Sequence, residues 1–122
     1  MSDTPRQAID PTEAHRLIAR VGPHLGCGDL THYPAFPEGR QDVCAIRHTA
    51  ENGSDYGYDT IYLVWRGDDG ALHHRPLRDT RSSKDYLHIR SITVDGENVK
   101  VEYGSGGSFS GSPWNSQAVV SI

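Results

Sequence analysis

Apolar residues recur along this chain at two periods, which divide it into one helix and a series of strands. Ala14, Leu17, Ile18 and Val21 fall at i, i+3, i+4 and i+7, a single stripe on a helix. Asp10-Pro11-Thr12-Glu13 precedes them as a start signal: Asp10 caps, Pro11 suits the first turn, and Glu13 stands where a capping box places its acid. Gly22-Pro23 stops the pattern, so the helix is expected to run for about 11–13 residues.

Beyond the helix the period drops to two. Gly26 to Arg40 is punctuated by Gly and Pro and reads as loop. Val43 to Thr49 reads as a short strand, and Asn52-Gly53 with Gly57 as a turn region. Thr60 to Arg66 is apolar at both parities (Ile61, Leu63, Trp65 against Tyr62, Val64), which predicts a central strand covered on each side. Gly67-Asp68-Asp69-Gly70 predicts a hairpin turn and Ala71 to Leu77 the returning strand, which Pro76 ends or confines to an edge.

Tyr86 to Val94 and Asn98 to Tyr103 flank Asp95-Gly96-Glu97, the clearest hairpin signal in the chain. Leu87 and Ile89 share one parity while Ile92 and Val94 share the other, so a bulge is expected near Arg90-Ser91. Pairing about Gly96 would set Val94 opposite Asn98 and Ile89 opposite Tyr103. Gln117 to Ile122 makes a last strand. These elements predict an α+β fold, with one N-terminal helix packed on a five- to six-stranded, mostly antiparallel, meander-like sheet. Residues 1–9 read as a flexible N-terminal segment and residues 10–122 as a single α+β domain, since 122 residues suit one core.

Composition narrows the class. Apolar residues make up 35% of the chain, with Gly, Ser and charge filling the deficit, which predicts a thin core and much loop. The first residues have no basic or apolar signal region, and no apolar run suits a bilayer, so a soluble cytoplasmic protein is expected. Cys27 and Cys44 are then expected as free thiols. The net charge of −4 argues against a general nucleic-acid binder. Its distribution is uneven: Arg75, Arg78, Arg81, Lys84 and Arg90 outweigh Asp79 and Asp85 within residues 75–90.

Two polar connections carry the candidate site. Residues 78–85 bring three cations and three hydroxyls, and Gly104 to Ser112 holds four glycines and four serines between two strands. The hairpin register sets both at one end of the sheet. Arg78, Arg81, Ser82, Ser83 and Lys84 would attract an anion. Gly106, Gly107 and Ser108 would bind it through backbone N–H and hydroxyl, and Trp114 or Tyr103 would pack on whatever carries the charge. There is no Gly-Lys-Ser/Thr and no following helix, so this is not a P-loop. A plain surface loop, its arginines paired with Asp79 and Asp85, accounts for the same residues without a ligand. The expected function is a small binding module for an anionic or phosphate-bearing ligand.

Other constellations are weaker. His24, Cys27, His32, Cys44 and His48 offer zinc-ligand chemistry at a spacing that matches no finger pattern, so no metal and no cofactor is assigned. His73 and His74 must point to opposite faces of a strand. No nucleophile elbow is present, because Gly107-Ser108-Phe109-Ser110-Gly111 precedes no helix, and no catalytic residue is assigned. Two other functional classes remain open: a protein–protein module, such as a regulatory or immunity-type inhibitor, using an acidic face; and a thiol enzyme at Cys27 with His24 or His32 as base. The last strand has few charges to guard a sheet edge, which leaves room for a homodimer.

Overall fold

The computed structural model describes residues 6–22, 28–31, 33–51, 57–80, 87–105 and 114–122. One helix, α1 (Pro11–Val21), precedes seven strands: β1 (Gly28–Thr31), β2 (Val43–Glu51), β3 (Gly57–Arg66), β4 (Leu72–Thr80), β5 (Leu87–Asp95), β6 (Asn98–Ser105) and β7 (Trp114–Ser121). The strands form two antiparallel sheets, ordered β1-β2-β3-β4 and β5-β6-β7. The class is α+β, as the periodicities predict. The strands divide into two sheets rather than forming one.

The division follows from β2 and β3, which are apolar on both faces. Cys44, Ile46, Tyr62 and Val64 face α1 and bury Ala14, Leu17 and Ile18 together with Ile9. Val43, Ala45, Ile61 and Leu63 face the other way, and the helix cannot reach them. The second sheet covers that side with Leu87, Val99, Val101, Tyr103 and Val120. Each fully buried valine or leucine here contributes roughly 1.5–3 kcal/mol relative to exposure. A single meander would have left this face in water.

Local signals act as read. Asp10 accepts from the Thr12 N–H at 2.8 Å and its own N–H donates to Glu13 at 3.1 Å, completing the capping box. Gly22 closes α1 with its N–H on the Ile18 carbonyl at 2.8 Å. Within the segment set apart as 1–9, residues 6–9 carry contacts, while residues 1–5 lie outside the described residues. Ile9 is buried, its N–H donating to Gln41. Arg66, buried on β3, donates to the Gln7, Ala8 and Gly70 carbonyls and to the Glu13 carboxylate.

Most strands depart from expectation: β2 and β3 pair out to Glu51↔Gly57, although Gly57 reads as turn, and β6 takes in Gly104 and Ser105, which read as loop. β1 occupies part of the region read as loop; Gly28 and Asp29 have little strand preference, and their conformation comes from pairing with Glu51 and Ala50. β4 continues past Pro76 to Thr80, because it is an edge strand and Leu77 is the extra residue of a bulge, after Tyr62↔Pro76 and before Ile61↔Arg78. β7 begins at Trp114, three residues earlier than its apolar pattern suggests.

The β5–β6 hairpin turns at Gly96 with φ +62°, and its register is Val94↔Val99 rather than 94 opposite 98. Arg90 is the extra residue of the expected bulge. It restores the predicted Ile89↔Tyr103 pairing and keeps Leu87, Ile89, Ile92 and Val94 on one core face.

Candidate functional site

Two cross-strand rows face each other at one end of the sandwich. In the first sheet, Arg47 and Arg78 both lie opposite Ile61, on β2 and β4. In the second sheet, Leu87 and Trp114 both lie opposite Ser105, on β5 and β7. The Arg78 guanidinium lies over the Trp114 indole, 5.1 Å from the ring centroid. The indole in turn meets Tyr103 edge-on, with centroids 6.4 Å apart and planes at 85°. Arg78 is exposed and Trp114 half-buried. At the other end of the rows, the Arg47 guanidinium donates to the Leu87 carbonyl.

Two register positions along, on the same face, sits a buried polar pair. Thr49 Oγ1 donates to Asp59 Oδ1 at 2.9 Å, and the Leu87 N–H donates to Asp59 Oδ2 at 3.4 Å. Asp59 is 1% exposed. A carboxylate that deep is tolerated because donors surround it. Asp59, Thr49 and Arg47 therefore clamp the start of β5 to the first sheet, just where residues 81–86 end.

The sequence-predicted residues divide accordingly. The structure brings Arg78 and Trp114 together and assigns both to strands rather than loops. Arg81, Ser82, Ser83, Lys84, Gly106, Gly107 and Ser108 lie outside the described residues. Their two connections leave from the corner, since Thr80, Leu87, Ser105 and Trp114 are the flanking strand ends. Arg47, Thr49 and Asp59 are additions that the sequence reading missed. A signal existed: they continue the inward parity of Val43, Ala45, Ile61 and Leu63, where polar residues need a special reason.

Charge runs along the strands. Arg47 and Arg78 stand at this corner with the buried Asp59 carboxylate, whereas the turn at the far end of each sheet carries exposed acids: Asp68 and Asp69 in one, Asp95 and Glu97 in the other. Arg6 pairs with Asp68 at 3.0 Å, and the His73 ring with Asp69 at 3.2 Å holds that carboxyl below its usual range. A polar concavity of about 620 Å³ opens on the outer face of the second sheet, lined by Arg90, Glu102, Asn115, Ser116 and Gln117. Gly104 on β6 has no room for a side chain, because a Cβ there would stand 2.2 Å from the Trp114 carbonyl and 3.1 Å from Arg90 Nε.

The other candidates find less support. His73 stacks on Trp65 and His74 lies near Tyr62, on opposite faces as required. Cys44 and His48 share the helix-facing side of β2, both fully buried, whereas His24, Cys27 and His32 lie outside the described residues. No group of three or more metal-ligating side chains occurs among the described residues. Burial pushes the Cys44 thiol up to about 12, which leaves it inert as a nucleophile. No helix among the described residues is long and apolar enough to cross a membrane. No family model matches the chain, and no curated protein and no solved structure matches it either.

Proposed function

We propose that this protein is a non-catalytic binding module that takes an anionic, phosphate-bearing ligand at the corner between β4, β5 and β7. The observation that carries the reading is the Arg78–Trp114 contact. It joins a cation on the strand that leads into one polar connection to an aromatic ring at the start of the strand that follows the other. A guanidinium laid on an indole face keeps its N–H edges free for bidentate contact with phosphate, and the ring removes water from one side of it. Arg81, Ser82, Ser83 and Lys84 follow Arg78 in sequence, and Gly106, Gly107 and Ser108 precede Trp114. Backbone N–H groups and hydroxyls from those residues would complete the anion's coordination, with no bond made or broken.

Titration of the isotope-labelled protein with pyrophosphate, followed in amide correlation spectra and in Trp fluorescence, tests the reading. Saturable shifts at Arg78, Leu87, Ser105 and Trp114 that vanish in Arg78→Ala are expected. Absence of saturation at millimolar pyrophosphate and at millimolar ATP would overturn it.

A further inference from the structure

Among the described residues, four strands have a strand neighbour on one side only: β1 and β4 in one sheet, β5 and β7 in the other. Three carry the devices that natural sheets use against edge pairing. β1 is only four residues long. β4 holds Pro76, a bulge, and exposed His73, His74, Arg75 and Arg78. β5 is bulged at Arg90 and exposes both Arg90 and Asp95.

β7 has none of these. Its eight residues, Trp114 to Ser121, include no charge, no Pro and no Gly, and its register with β6 is unbroken. Its core-facing row is also incomplete. Val99, Val101 and Tyr103 on β6 are buried, yet Trp114, Ala118 and the following Ile122 remain half-exposed. On the outer face Val119 is 61% exposed.

We propose that β7 is a homodimer seam, in which two copies pair antiparallel about a two-fold axis near Val119 and merge their three-stranded sheets into one of six strands. The occupant is a second copy because self-pairing fits this strand without conflict. With Val119 at the axis, Val119 meets its own mate, Ala118 faces Val120, Gln117 faces Ser121 and Ser116 faces Ile122. The core side of the seam is then apolar but for Ser116, and no pair opposes like charges. Elsewhere the chain is unfavourable to its own copy: it carries a net −4, so an uncharged strand is where two copies approach with least repulsion. The seam lies at the other end of β7 from Trp114, so it is independent of the anion-binding reading.

Sedimentation equilibrium of the whole chain from about 1 µM to about 1 mM decides the matter. A concentration-dependent dimer is expected. Val119→Lys sets two ammonium groups against each other across the axis and should weaken association roughly a hundredfold. Val119 is exposed in the protomer, so the variant's circular dichroism and melting point should stay near wild type. Amide exchange on the unmodified protein gives an independent readout: β7 amides should slow as concentration rises. A monomer mass at every concentration, or a Val119→Lys dimer as tight as wild type, would refute the seam.

Discussion

Asp59 holds the backbone of Leu87: its carboxylate accepts the Leu87 N–H at 3.4 Å, across the gap between the two sheets. Arg47 takes the carbonyl of the same residue. Both backbone polar groups of the first β5 residue are thus satisfied by side chains of the other sheet, in place of the strand partner an edge residue lacks.

Asp59→Ala should therefore destabilise the protein by about 2–4 kcal/mol, because it strands the Thr49 hydroxyl and the Leu87 N–H in the interior. Urea unfolding would show a lower midpoint at an unchanged slope. A loss below about 0.5 kcal/mol would mean that water replaces the carboxylate and the clamp is dispensable.

Arg78 and Trp114 separate binding from folding. Arg78→Ala should lower pyrophosphate affinity at least about tenfold, the worth of one good charged contact, while costing only about 0.5–1 kcal/mol of stability. Arg78→Lys should not rescue binding, since an ammonium offers neither the planar stack nor the two-pronged donor edge. Trp114→Ala also removes the packing on Tyr103 and should cost about 2 kcal/mol. Calorimetric titration beside thermal melts of the three variants checks the separation.

Gly22 caps α1 in an extended conformation (φ −72°, ψ 164°) that any residue can adopt, so what requires glycine there is space rather than backbone freedom. A Cβ at Gly22 would stand 2.6 Å from His48 Cδ2 and 2.9 Å from the Ile18 carbonyl. Gly22→Ala is expected to destabilise by about 1–3 kcal/mol, read as a drop in melting temperature. A rise would show that the His48 ring can move aside.

Cys44 gives the fold an alkaline limit. Its thiol titrates from an ordinary value of 9.0 up to about 12 because burial disfavours the thiolate. The folded chain therefore keeps a proton that the unfolded chain releases. The contribution is fully present below pH 9 and is lost as pH climbs to about 12, with a slope approaching about 1.4 kcal/mol per pH unit. Urea unfolding across that window should show the decline in wild type and a shallower one in Cys44→Ala. Native-state alkylation at pH 8 should leave Cys44 unmodified, as peptide mass mapping would show.

Legibility in the sequence tracked the range of the interactions. α1 could be read almost residue by residue because its cap, stripe and stop are all local. The β5 bulge was equally plain, since Leu87, Ile89, Ile92 and Val94 cannot share a face without it. The same bulge hid the turn register, because one extra residue repairs the count at Ile89 while leaving it wrong at Val94. β1 could not be read: Gly28 and Asp29 extend only because β2 offers them a template. The corner was half visible. Its cations and its Gly/Ser stretch announce themselves, whereas Asp59 and Thr49 matter through the backbone of Leu87, a residue 28 positions beyond Asp59.

The residue at position 90 has a different status from its neighbours. Arg90 is passed over by the β5–β6 pairing, so the identity of its side chain matters little to the core, but its presence in the count decides which way one arm of the strand, 87–89 or 91–95, turns relative to the other. The fold needs a residue there and not a particular side chain. In a library of single substitutions and single deletions scored for soluble folded protein, position 90 should accept most replacements. Removal of the codon should fail, because either Leu87 and Ile89 or Ile92 and Val94 would be turned outward to water.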